Sequence, residues 1–145
     1  MGLSRTTLHV MLVPVVDVIA ELLEKVHALD GCQHPAESHI RDMLTQRPNR
    51  TRIQLLHWIQ QATKRHAVLY CLGRLPVSYI GHWLLPAIEV GLADRRSSVR
   101  ELTIELAALV GARSIASVLY KRAVNEPEAH LARYMQFVAA DLCAV

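Results

Sequence analysis

Residues 84–111 read LLPAIEVGLADRRSSVRELTIELAALVG, and this stretch decides the fold. Apolar residues recur every three or four positions on both sides of a polar run around Asp94, which predicts two helices joined by a short turn. Ser97 is the expected N-cap of the second helix, and Gly111 is the expected stop. The stretch is therefore one helix–turn–helix unit.

A second copy of this unit follows in the last part of the chain. Three positions of the first helix and turn recur 31 residues later: Leu84, Ile88 and Asp94 match Ile115, Leu119 and Asn125. The second helix recurs after 32 residues: Val99, Leu106, Ala107 and Ala108 match Leu131, Val138, Ala139 and Ala140. Small residues let neighbouring helices approach closely, so stacked units can share one core. A weaker third copy covers residues 35–62, with its turn at residues 48–52.

Three parts of the first unit resemble HEAT-type (armadillo-like) helical repeats of the short bacterial kind: residues 84–88, 94–100 and 107–111. The resemblance covers residues 82–143. It implies a right-handed stack of antiparallel helix pairs, an alpha-alpha superhelix. In such repeats a turn Asp and an Arg that follows a Val in the second helix link successive units. Asp94 and Arg100 occupy these positions here, and Asn125 and Arg133 are their counterparts in the next unit, with Arg133 displaced by one residue.

The whole chain is consistent with one all-α domain. It has 145 residues, of which 52% are hydrophobic, so it is long and apolar enough to bury a core and is not a disordered segment. Residues 1–34 lie outside the repeats and are a candidate amino-terminal cap. Helical spacing predicts about seven helices, near residues 8–29, 35–46, 50–72, 82–93, 97–110, 114–124 and 127–143. The third of these is one helix or two, with a break near Lys64.

The three cysteines are odd in number and far apart, which favours neither a disulfide framework nor a zinc ribbon. No run of residues approaches the roughly 18 apolar positions of a membrane helix. We therefore expect a soluble, cytoplasmic protein without a cofactor.

The sequence contains no Gly-rich phosphate loop, H-E-x-x-H or G-x-S-x-G motif, so no residue is assigned a catalytic role and nothing indicates an enzyme.

Charge is spread unevenly along the chain. Residues 1–40 hold two basic and five acidic side chains, residues 41–75 hold seven and one, and residues 76–145 hold seven of each. The basic middle segment predicts the binding surface for another protein, in an adaptor, chaperone-like or inhibitory role. Its candidate partner-binding residues are Arg41, Arg47, Arg50, Arg52, Trp58, Lys64, Arg65 and Arg74.

Two other functions stay open at this point. The same basic segment, with Trp58 and Tyr70 among its arginines, could hold phosphates and stack bases as a nucleic-acid-binding module. The polar region from His27 to His39 contains Cys32, His34 and His39, weak candidate metal ligands that would make the protein a metal-dependent enzyme, although their spacing matches no closed zinc site. A short stack leaves its end helices half exposed, so a homodimer is also possible.

Overall fold

The computed structural model describes residues 35–144. This part of the chain contains seven α-helices and no strand, which confirms the all-α prediction. The helices are α1 (Pro35–Gln46), α2 (Pro48–Ile59), α3 (Ala62–Gly73), α4 (Leu85–Leu92), α5 (Ser97–Val110), α6 (Ile115–Asn125) and α7 (Ala129–Cys143). Two 3-10 turns, Val77–Tyr79 and His82–Leu84, connect α3 to α4.

Several predicted boundaries agree with these helices and others need correction. The segment 50–72 forms two helices, α2 and α3, and they separate at Gln60–Gln61 rather than near Lys64. The predicted helix over 82–93 is a 3-10 turn followed by the shorter α4. The predicted helix over 8–29 and the candidate cap over 1–34 lie outside the described residues.

The helices contact one another in a regular order. Neighbours in the chain pack together as α2 with α3, α4 with α5, and α6 with α7. Helices two places apart also contact, so α2, α4 and α6 form one row and α3, α5 and α7 form another. Helix α5 touches α3, α4 and α7 and is the centre of the arrangement, whereas α1 packs at one end against α2 and α3. The helix pairs are thus α2/α3, α4/α5 and α6/α7. The weak third copy predicted over residues 35–62 does not coincide with α2/α3, which covers residues 48–73.

One hydrophobic core runs through all seven helices. Ala107 and Ala139, one member of each Ala-Ala pair, are fully buried, while Ala108 and Ala140 are exposed. Helices α4 and α5 approach closely where Gly91 faces the buried side chain of Thr103. The Thr103 hydroxyl donates to the carbonyl of Val99 at 2.7 Å, which satisfies this polar group inside the core.

The packing at Gly91 leaves no room for a side chain. A Cβ at Gly91 would overlap the Thr103 hydroxyl and lie 2.8 Å from its Cγ2 and 3.0 Å from its Cβ, so rotating the Thr103 side chain cannot relieve the contact. We expect Gly91→Ala to lower the free energy of unfolding by about 1–3 kcal/mol through overpacking. Adding Thr103→Ala removes the hydroxyl and Cγ2 but keeps the Cβ, so it should recover part of that loss. Urea denaturation measures both effects.

Gly73 supplies the matched control, because a Cβ there meets nothing within 4 Å and the residue is helical. Gly73→Ala should leave the stability unchanged or raise it by up to about 1 kcal/mol. Equal stabilities of the two alanine variants would show that α4 and α5 are not in close contact at Gly91.

Within residues 35–144, none of the helices has the length and apolar character needed to cross a membrane.

Candidate interaction surfaces

The three turns that join paired helices are connected by a chain of ionic hydrogen bonds. The first turn is Gln60–Gln61, the second is residues 93–96, and the third is residues 126–128. We call the five side chains involved the Arg–acid ladder. They are Arg65, Asp94, Arg96, Arg100 and Glu126.

Arg65 connects the first turn to the second. Its Nε and Nη2 donate to the carbonyls of Ile59 and Gln60 at 2.7 and 3.2 Å, and its Nη1 donates to Asp94 Oδ2 at 2.6 Å. The carbonyls at the end of α2 have no partner within that helix, so Arg65 supplies one. The same guanidinium therefore closes its own turn and binds the next one.

Arg100 repeats this arrangement one pair further on. Its Nη1 donates to the carbonyls of Asp94 and Arg95 at 3.1 and 2.8 Å, while its Nε and Nη2 form two 2.8 Å bonds with the Glu126 carboxylate. In both cases the carbonyl partners lie six and five residues before the arginine. Arg65 and Arg100 are also both the fourth residue of their helices. The two arginines are structurally equivalent.

The two acids of the ladder are equivalent as well. Asp94 Oδ1 accepts the backbone N–H of Arg96, and Glu126 Oε1 accepts the backbone N–H of Glu128, two residues further in each case. Glu126 therefore has the role expected of Asn125, whose side chain is exposed. Arg133 is also exposed, and it takes part in none of the ion pairs of residues 35–144. The ladder therefore stops at Glu126 within the described residues.

The Asp94 carboxylate accepts four hydrogen bonds in the ladder, and its side chain is 4% exposed. Burial alone raises the pKa of this carboxyl, but the hydrogen bonds from the Arg96 side chain and backbone and from Arg65 outweigh it and hold the pKa well below its usual range. Arg96 also donates to the carbonyl of Ala62 at 2.6 Å, at the start of α3. Asp94 is thus ionised and is tied to two helix pairs. Arg96, rather than Ser97, is the N-cap residue of α5, and it has no side-chain capping bond.

The basic segment 41–75 does not form a single patch. Arg65 belongs to the ladder, and Arg74 Nε lies 2.7 Å from Glu37 Oε1, in ion-pair contact but without the alignment of a hydrogen bond. The Arg52 guanidinium stacks 5.5 Å above the Trp83 ring, and that of Arg74 lies 5.2 Å above Tyr70. These three arginines act within the fold. Trp58 is only 1% exposed, so it belongs to the core and not to an accessible binding surface.

The remaining basic residues of the segment fall into two places. Arg41 lies on α1, Arg47 is the residue between α1 and α2, and Arg50 lies on α2. We call these three residues the basic corner. Lys64 lies in the first turn of α3, and the 12 residues of α2, roughly 18 Å long, separate this turn from the corner. Thr51 fixes the corner, because its hydroxyl lies 3.0 Å from the Met43 carbonyl and 2.8 Å from that of Arg47.

The structure describes one of the three candidate metal ligands, His39, and two of the three cysteines, the buried Cys71 and the exposed Cys143. Cys32 and His34 lie outside the described residues, and His39 lies half-buried on α1. Between residues 35 and 144 no three His, Cys, Asp or Glu side chains converge as metal ligands. Burial, with a further effect from Glu37, raises the pKa of the Cys71 thiol to about 12 against the opposing charge of Arg74. This thiol is therefore protonated at neutral pH and is a poor nucleophile.

The sequence matches no family model, no curated protein and no solved structure.

The Arg100–Glu126 pair gives a direct test of the ladder. The two side chains are 8% and 2% exposed, so Arg100→Met leaves a buried carboxylate without its cation and should cost about 3–5 kcal/mol of unfolding free energy. Glu126→Met should cost a similar amount, because it leaves the buried Arg100 guanidinium without its anion. The double variant replaces both charges with apolar groups, so it should be more stable than either single variant.

Arg95→Met is the control, because Arg95 is exposed and its side chain contributes nothing to the ladder. Its stability should stay within about 0.5 kcal/mol of the wild type. Thermal or urea unfolding of all four variants measures the coupling, and additive losses from the two single substitutions would argue against a coupled buried pair.

Proposed function

We propose that the protein is a non-enzymatic protein-binding module built as a short, HEAT-like stack of helix pairs. The proposal rests on the two rows of contacting helices and on the equivalent arginines that join each pair to the next. Stacked units of this kind form rigid, extended surfaces, and binding is their usual task. The right-handed superhelix, the adaptor role and a cytoplasmic location are parts of this proposal.

The basic corner is the surface that best suits a macromolecular partner. Arg47 is exposed and Arg41 and Arg50 are half-buried, and none of their side chains forms an ion pair within residues 35–144. Their charges are therefore not used by the fold as described. Three cations spaced over residues 41–50, around one helix junction, attract an acidic surface and speed its association. We propose that the partner is a protein that presents Asp and Glu side chains to this corner.

The positions of the aromatic residues favour a protein partner over a single-stranded nucleic acid. Binding to single strands combines a basic groove with exposed rings on which bases stack. Here Trp58 is buried, Tyr70 is half-buried below the Arg74 guanidinium, and Trp83 is half-buried below that of Arg52. The rings near the basic segment are thus occupied by the protein's own arginines.

Affinity purification with mass spectrometry tests the proposal. Tagged wild-type protein should capture a reproducible set of proteins from a nuclease-treated lysate of its own source cells. The double variant Arg47→Glu/Arg50→Glu should lose that set, because four units of charge change at the corner while the core is untouched. Binding of the recovered partner, measured by calorimetry, should weaken by at least tenfold.

The control carries the same charge change elsewhere. Arg95 and Arg113 are exposed residues outside the corner, and Arg95→Glu/Arg113→Glu should retain the partner. Equal loss in both double variants would indicate a nonspecific charge effect. Recovery of nucleic acid, with an affinity that falls steeply and linearly with the logarithm of salt concentration, would instead support the nucleic-acid alternative.

A further inference from the structure

Helix α7 exposes a large aromatic side chain. Phe137 is 72% exposed, although the helix buries Leu131, Met135, Val138 and Leu142 against the rest of the protein. Single exposed apolar residues are common on protein surfaces, so Phe137 indicates an interface only together with the residues around it. The neighbouring Ala140 and Ala144 are also exposed, and their small side chains leave room for another helix to approach.

Two opposite charges flank Phe137 symmetrically. Arg133 lies four residues before it and Asp141 lies four residues after it, and both are exposed. Four residues advance a helix by about 6 Å and rotate it by about 40°, so the three side chains follow one narrow stripe. Neither charge belongs to an ion pair in the part of the chain that the structure describes.

This stripe is complementary to itself under a two-fold rotation. In an antiparallel pair of α7 helices centred on Phe137, residue 133 of one copy lies opposite residue 141 of the other. The two rings then stack at the centre, and an arginine meets an aspartate on each side. A parallel pair would place like charges opposite each other instead, and it would be repelled.

We propose that α7 binds a second copy of this chain in this antiparallel arrangement. The proposal does not depend on the partner of the basic corner, because that corner lies at α1 and α2. One pair of 15-residue helices buries less than the roughly 800 Å² per partner of a standard interface. The dimer is therefore weak and forms as the protein concentration rises.

Within residues 35–144, the two other large apolar residues of α-helices that are more than half exposed do not offer the same symmetry. Val124 on α6 and Ile53 on α2 are 83% and 64% exposed. Residues 120 and 128 around Val124 are Tyr and Glu, and residues 49 and 57 around Ile53 are Asn and His, so neither has an Arg–Asp pair placed equally on both sides. Ile53 is a useful control because it is similarly exposed.

Sedimentation velocity over a wide concentration range tests the dimer with a charge-exchange experiment. Arg133→Glu alone and Asp141→Arg alone should each weaken the dimer by roughly tenfold, because like charges then face each other across the two-fold axis. The combined variant Arg133→Glu/Asp141→Arg restores opposite charges and should recover the wild-type association. Circular dichroism shows that each variant is folded.

Two further substitutions test the role of the Phe137 ring at the centre of the proposed interface. Phe137→Asp should abolish association, whereas Ile53→Asp should leave it unchanged. A wild-type protein that stays monomeric at the highest concentration would overturn the proposal. So would a combined charge variant that associates no better than the single variants, or equal losses from the two aspartate substitutions.

Discussion

The bonds to the buried carboxylate of Asp94 are the interactions on which the contact between the helix pairs α2/α3 and α4/α5 depends. This carboxylate accepts bonds from Arg65 in α3 and from the side chain and backbone of Arg96 before α5, so one ionised group connects two pairs. An isolated charge in this position would be costly, and it is tolerated because two guanidinium groups and a backbone N–H surround it. Arg100 extends the same connection to Glu126. These bonds together hold the three turns between residues 59 and 128 in fixed positions relative to one another.

Helix positions were predictable where glycine or proline marks an end. Pro35 and Gly111 bound predicted helices that match the structure, and Gly111 has the left-handed φ of 67° that favours glycine at a helix end. The break at Gln60–Gln61 carries no such residue. It is closed by Arg65, which binds carbonyls that α2 leaves unpaired. A side-chain bond of this kind has no signature in hydrophobic spacing, so the break was misplaced.

The candidate site residues also divide into those that a local sequence pattern predicts and those that only the fold reveals. The resemblance to HEAT-type repeats predicts Asp94 and Arg100 as linking residues, and in the structure Arg100 donates to the carbonyl of Asp94 and pairs with Glu126. The sequence alone places Arg65 in a basic surface, because its acidic partner is 29 residues away along the chain. Charge along a chain shows where basic residues are plentiful, but only the fold shows which of them are neutralised internally. The three arginines of the basic corner and Arg133 form no ion pair within residues 35–144. The basic corner belongs to the proposed protein-binding surface, and Arg133 belongs to the proposed dimer interface on α7.

Hydrogen exchange measured by mass spectrometry on wild-type protein and on Asp94→Ala tests the central claim most directly. Glu89→Ala, at an exposed acid on α4, is the matched control. If Asp94 connects two helix pairs, its loss should speed exchange at the start of α3 as well as at the start of α5, while the control leaves both unchanged. Faster exchange confined to residues 93–96, with α3 as protected as in the wild type, would contradict the claim.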